Sequence, residues 1–208
     1  MKLFIFLLFF CNMLHAQWSP VKTFNSSSPI HIITDFNFVS EQRGFLISYQ
    51  NNTNTFYRTI DGGITWKKVL YINETAGAGD LILDPNNPRI MYAATWNMKR
   101  NGYRMDSGGP DSKIWKSLDS GETWENVSDH EGMPKGINGI IGIAVSPKNS
   151  DRVWAIIENS EAPGVYRSDD AGKTWSRINQ DRAMLQRAWY YCRIYADSQD
   201  EDKVYIMN

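Results

Sequence analysis

Arginines, acids and aromatic rings crowd three irregular stretches of the sequence, residues 97–112, 128–138 and 179–188. The first holds Lys99, Arg100, Tyr103, Arg104 and Asp106, the second His130 and Glu131, and the third Arg182 and Arg187, with Trp189 and Arg193 just beyond. Guanidinium groups grip carboxylates through paired N–H donors, and aromatic rings present flat apolar faces. A pocket lined by both suits carboxylates, sugar faces or the acidic end of a peptide. The same stretches carry Asp106, Asp111, Asp129, Glu131 and Asp181. Glycosidic hydrolysis needs two carboxylates facing across a cleft, and spacing along the chain selects no pair among these five.

Other chemistry finds less support. "DHEGM" lacks the second histidine of a zinc-protease helix, and His31 and His130 are too few for an ordinary zinc site, so no metal is expected. "GAGDLI" and "GINGIIG" are irregular glycine patterns at the start of strands and do not read as phosphate cradles, and no cofactor is implied. The formal charge of −1 offers nothing global to nucleic acid or an anionic membrane. Cys192 reads as a small buried hydrophobe in a strand, with no histidine near it in sequence.

The elements that would position these groups come from a repeat. "TIDGGITW", "SLDSGETW" and "SDDAGKTW" fit one octet, Ser/Thr-x-Asp-x-Gly-x-Thr-Trp, built around Asp61, Gly63 and Trp66, then Asp119, Gly121 and Trp124, then Asp170, Gly172 and Trp175. The interval is blade-sized. Outward from each octet four strand-like segments recur, rich in β-branched and aromatic residues and bounded by turn formers such as "DPNNPR" and "SPKNSD". The pattern predicts an all-β fold, a β-propeller of four-stranded antiparallel blades, with blades at about 29–73, 78–128 and 138–179 and half of a fourth at 189–208. The octet falls at the hairpin between third and fourth strands. There glycine permits positive φ, the Asp accepts turn amides, and the Trp wedges between sheets; it is a structural module rather than a catalytic motif. The turns joining strands one to two and three to four would share one end of the blades, leaving the irregular stretches at the other. In "QRAWYYCRIYAD", strand alternation would send Trp189, Tyr191 and Arg193 toward the central channel and Tyr190 and Cys192 sideways.

The octet resembles the Asp-box, or bacterial neuraminidase repeat, shared by sialidases, xyloglucanases, sortilin-type receptors and a photosystem assembly factor. Residues 79–208, with "LDPNNPRIMYAATW", "SGGPDSKIWKSLDSGETW" and "VYRSDDAGKTW", look closest to large secreted bacterial propellers of sortilin-like or glycosyl-hydrolase-like type. "FNFVSEQRGFLISY" is similar to blade openings of the photosystem-factor kind. The resemblance fixes fold more than activity, since the repeat spans hydrolases and receptors. The Arg-Ile-Pro start usual in sialidases is absent.

"MKLFIFLLFFCNMLHAQ" has one basic residue, a short apolar run and a small residue before Gln17, the layout of a secretory signal peptide over residues 1–16. A lipoprotein reading through Cys11 is weaker because bulky Phe10 precedes it. Export follows, to the medium, the periplasm or the cell surface, without stable membrane insertion. Sequons stand at Asn25, Asn51, Asn73 and Asn126. An open stack of three and a half blades leaves two sheet faces uncovered. The expectation is therefore a piece of a longer propeller, the remaining blades supplied in cis, or a stack capped by a partner. Three functions remain open. The chain is read first as an exported scaffold segment binding a protein, peptide or glycan. The alternative is part of a xyloglucanase- or sialidase-like hydrolase, and the third an assembly factor with a protein partner.

Overall fold

The computed structural model describes residues 32–50 and 53–207. The signal peptide, Cys11, His31, Asn25 and Asn51 lie outside them. The chain divides into two compact units, residues 1–68 and 69–208. The first carries β1 (Ile32–Phe38), β2 (Gly44–Gln50) and β3 (Thr53–Thr59), antiparallel in chain order, and β4 (Lys67–Leu70) completes that sheet as the chain passes into the second unit. Within the first unit the Trp66 ring meets Phe38 edge-on, centroids 6.1 Å apart.

The second unit holds three more antiparallel sheets. One comprises β5 (Ala76–Leu83), β6 (Met91–Arg100), β8 (Ile114–Ser117) and β9 (Glu125–Asn126), with β7 (Met105–Ser107) paired to the far end of β6. The next is β10 (Asn138–Val145), β11 (Val153–Asn159), β12 (Gly164–Ser168) and β13 (Ser176–Asn179). The last is the pair β14 (Arg193–Ala196) and β15 (Val204–Met207). The fold is all-β, a β-propeller arrangement of four-stranded antiparallel blades.

Within the second unit successive sheets stack through alternate side chains, which is why β10 and β11 read as almost unbroken apolar runs. Ile141, Ile143, Val145, Val153, Ala155 and Ile157 face Tyr92, Ala94 and Ile114 of the sheet before. Ala144, Trp154 and Ile156 face the other way, against Cys192 and Ile194 of the sheet after. The first strands β1, β5 and β10 are each bulged at one place, between Ile33 and Asp35, Ala78 and Asp80, and Asn138 and Ile141, whereas β14 pairs in unbroken register.

Every fixed letter of the octet has a bond to make. The first-position hydroxyl of Ser117 donates to Asp119 (2.8 Å) and accepts from the Gly121 amide (2.8 Å). Asp119 accepts the amide of Thr123 at 2.9 Å and its hydroxyl at 2.6 Å. Thr59 and Asp61, and Ser168 and Asp170, repeat the pattern. The Trp124 and Trp175 indoles each donate to the glycine carbonyl three residues back at 3.1 Å. Two successive residues turn left-handed, Ser120 (φ 64°) with Gly121 and Ala171 (φ 58°) with Gly172, so the positive φ extends beyond the expected glycine. The same turn amides, Gly62, Ser120 and Ala171, donate to Gln42, Arg89 and Asp151 in the turn joining strands one and two. Both turns therefore share one end of each sheet.

The Thr65 and Thr123 hydroxyls and amides hold the carboxyls of Asp61 and Asp119 down to about 2. A folded-state pKa below the unfolded one stabilises above the unfolded value near 4, and that stabilisation is lost as pH falls through about 2. Urea unfolding of the wild-type chain and of Asp119→Asn should differ most above pH 4, the gap narrowing as pH falls and closing near pH 2. A gap that is unchanged down to pH 2 would remove the ionised carboxylate from the explanation.

Candidate functional site

The octets occupy one end of the sheets, so attention moves to the opposite end and to the first strands, where β5, β10 and β14 lie side by side. Register places Asp80, Gly142 and Arg193 at equivalent positions, paired with Ala94, Ile156 and Met207. The Asp80 carboxylate binds the Arg193 guanidinium at 2.7 Å through one oxygen and accepts the Ile143 amide at 3.0 Å through the other. One acid thus joins three consecutive sheets. The side chain of Asp80 is 16% exposed and that of Arg193 is 51% exposed, so the pair opens to solvent on the arginine side.

A second carboxylate stands nearby. Glu158, on β11, accepts the Ser107 hydroxyl at 2.5 Å and the Ile140 amide at 3.0 Å, and Ser107 in turn accepts the Trp96 indole N–H at 3.1 Å. Burial pushes the Cys192 thiol up to about 12, and the charges of Glu158 and Asp80 add to that. The thiol stays protonated at neutral pH and is no nucleophile. Among the described residues no group of acids, histidines and cysteines could hold a metal ion. No described helix is long and apolar enough to cross a membrane.

The other candidates distribute unevenly. Residues 97–112, read as an irregular loop, contain a two-stranded ribbon of β6 and β7 turned by Asn101, whose side chain accepts the Tyr103 and Arg104 amides. Arg104 pairs with Asp106 at 2.5 Å on this exposed ribbon, and Arg100 is exposed at its turn. Arg182 begins a short 3-10 helix (Arg182–Leu185) whose first turn Asp181 caps through the Ala183 amide. Residues 186–190 then form turns rather than strand, the Tyr190 and Tyr191 amides donating to the Arg187 carbonyl. The expected alternation is corrected accordingly. Strand begins only at Arg193, and Trp189, Tyr190 and Tyr191 all stand exposed, at 43%, 61% and 56%, their rings in a tilted row. Arg187 is exposed at the head of this row.

His130 and Glu131 do not join the site. His130 Nδ1 donates to the Gly172 carbonyl and the Glu131 carbonyl accepts the Trp175 amide, so this segment lies against the third octet. Asp129 is bound to Lys113 and Asn126, and Asp111 accepts from Asn73. Those last contacts also occupy the amide nitrogens of the sequons at Asn73 and Asn126. Of the five loop acids, Asp106, Asp111, Asp129 and Asp181 each engage a local partner, whereas Asp80 and Glu158 were missed by sequence reading. Counting four residues back from the turn formers Asp84, Ser146 and Asp197 would have aligned Asp80 with Gly142 and Arg193.

The geometry is that of an acid and arginine bridging the first strands, with a row of exposed aromatics just before the arginine in the chain, and known proteins with a similar chain can be set against it. No protein-family model matches the chain. A Paenibacillus xyloglucanase is 29% identical over 157 residues, which is 68% of this chain and 14% of that protein. Xyloglucanase Xgh74A of Acetivibrio thermocellus is 25% identical over 158 residues, 64% of this chain and 17% of that protein. Among solved structures, the Niastella koreensis GH74 enzyme superposes with a TM-score of 0.63 at 19% identity, over 91% of this chain and 30% of that one. The GH74 xyloglucanase from Xanthomonas campestris does so at 0.61 and 17% identity, over 90% and 30%.

The chain shares their propeller fold. It spans less than a third of each of these proteins. At such identities the solved structures speak for architecture, and site residues must be argued from this chain's own geometry.

Proposed function

We propose that the chain is a glycan-binding segment of an exported carbohydrate-active propeller built on Asp-box blades, taking a β-linked polysaccharide of the xyloglucan class. The observation that carries this is the exposed row Trp189, Tyr190 and Tyr191 leading directly into Arg193 and its partner Asp80. Aromatic faces take the C–H faces of sugar rings, while a fixed carboxylate and guanidinium take their hydroxyls. The xyloglucanases named above support the substrate class.

Hydrolysis is the second reading, favoured by the same sequence similarity. Asp80 and Glu158 are carboxylates held among the first strands, bound to the Ile143 and Ile140 amides of β10. Each is engaged by hydrogen bonds, so a catalytic role would need a partner acid from outside the segment.

The test uses xyloglucan oligosaccharides, with affinity from calorimetry and cleavage from reducing-end release. Trp189→Ala is expected to weaken binding about tenfold, roughly 1.4 kcal/mol, with an unchanged melting temperature. Cleavage that vanishes in Glu158→Gln while binding persists would promote the second reading. Tight capture of a protein with no saccharide affinity would overturn both.

A further inference from the structure

Asn101 and Asn138 each precede a glycine, and the fold puts the two in opposite circumstances. An asparagine side-chain carbonyl and the next main-chain nitrogen close a five-membered imide when they can approach, and glycine, with no Cβ, leaves that nitrogen unshielded. Asn101 stands at the turn of the β6 and β7 ribbon with Gly102, Tyr103 and Arg104, all four exposed. Its Oδ1 accepts the Tyr103 amide at 2.9 Å and the Arg104 amide at 2.8 Å. The first of these bonds closes a small ring that contains both the Asn101 Cγ and the Gly102 nitrogen, and the two donors together draw electrons from the carbonyl carbon. Among the described residues neither the Gly102 N–H nor the Asn101 Nδ2 has a hydrogen-bond partner, so nucleophile and leaving group both face water.

Charge favours the same step. Lys99, Arg100 and Arg104 flank the turn, and among the described residues Arg104 alone of the three is paired, with Asp106 at 2.5 Å. A positive potential stabilises the amide anion that attacks and the oxyanion that forms on Cγ. Asn138 has none of these features. It is 6% exposed in β10, its Oδ1 accepts Asn159 Nδ2 at 2.7 Å, and its Nδ2 donates to the Ser112 carbonyl at 3.3 Å. Its main-chain carbonyl accepts the Gly109 amide at 3.2 Å, and an extended strand holds side chains roughly perpendicular to the chain, away from the nitrogen that follows.

We infer that Asn101 is a modification site, where the folded ribbon promotes spontaneous deamidation through an imide with Gly102, and that Asn138 is protected from the same reaction. The Gly102 nitrogen gives its proton to hydroxide and bonds to the Asn101 Cγ. The bond from Cγ to Nδ2 then breaks, and Nδ2 takes a proton from water and leaves as ammonia. A further water opens the imide at one carbonyl to give aspartate, or at the other to give isoaspartate, with the main chain rerouted through the side chain. Nothing is oxidised or reduced; amide and water become acid and ammonia. Either product sets a carboxylate between Arg100 and Arg104. Isoaspartate also adds a methylene to a turn in which the Asn101 amide reaches the Arg104 carbonyl at 2.9 Å, so it loosens the ribbon as well as discharging it. The inference is independent of the glycan reading.

The experiment holds the folded full chain at mildly alkaline pH and follows both asparagines by peptide mapping, with isoaspartate distinguished by methyltransferase labelling. Asn101 should convert about tenfold or more faster than Asn138, whose reaction waits on opening of β10, and isoaspartate should be among the products. In urea the two rates should converge. Equal rates in the folded chain would overturn the inference, and so would a selectivity that survives urea in full, since neighbouring sequence and not the ribbon would then set it. Gly102→Ala is the second arm. A Cβ there meets nothing within 4 Å, so the ribbon is kept. The methyl group shields the attacking nitrogen, and conversion at Asn101 should fall about tenfold. Aspartate formed without isoaspartate, at a rate that Gly102→Ala leaves unchanged, would mean direct hydrolysis and overturn the imide route.

Discussion

Gly142→Ala is expected to cost about 2–3 kcal/mol and to weaken saccharide binding about tenfold, although Gly142 reaches no ligand. A Cβ at this position would overlap the carbonyl oxygen of Cys192 and press on the Ile156 side chain at 3.0 Å. The first obstacle is backbone, so no rotamer change relieves it. β14 must move away from β10, and the Asp80 to Arg193 contact, whose acid is anchored on the Ile143 amide of β10, lengthens with it. Relief of the clash would also open the Ala144, Trp154 and Ile194 packing. Gly79→Ala is the control, since a Cβ there meets only the Ala94 carbonyl and the Trp96 Cβ at 3.7 Å, ordinary contacts. Melting temperature and calorimetric affinity for both variants decide the matter. Gly142→Ala behaving like Gly79→Ala would mean that the Asp80–Arg193 pair does not depend on the close approach of these strands.

What sequence could and could not disclose follows from the range of the interactions. The octet is legible because its bonds are local, Ser117 to Gly121 and Asp119 to Thr123, so each fixed letter answers another within five residues. Strand order followed from the repetition of those turns. The ribbon at 97–112 was also within reach, because Asn101-Gly102 is a strong hairpin signal that the surrounding charge obscured. The aromatic run before Arg193 misled for a different reason. Its composition favours strand, yet the Arg187 carbonyl captures two successive amides and holds the chain in a turn. His130 and Glu131 were misplaced because β9 has only two residues, after which the chain doubles back onto the third octet. Asp80 with Arg193, and Ser107 with Glu158, meet across sheets, and no local pattern announces them.

Trp175→Ala tests the other end of the molecule and should give the largest loss of stability, about 3–5 kcal/mol, or a fall in melting temperature of roughly 10 °C. Trp175 is 4% exposed within the cluster that joins the sheets of β6 and β11, and its backbone amide and carbonyl are enclosed by Glu131 and Gly132. That enclosure limits collapse around the vacated volume, which is the condition under which a cavity costs most. Trp124→Ala removes the same side chain from a half-buried position, where the indole donates to Val69 as well as Gly121, and should cost less than half as much. Equal losses would show that burial between sheets is not what the octet tryptophan contributes. The decisive comparison is with binding. Below its melting temperature Trp175→Ala should retain saccharide affinity, because the octet lies at the end of the blade away from Asp80 and Arg193. An octet variant that stayed folded and lost the ligand would place the site at the wrong end.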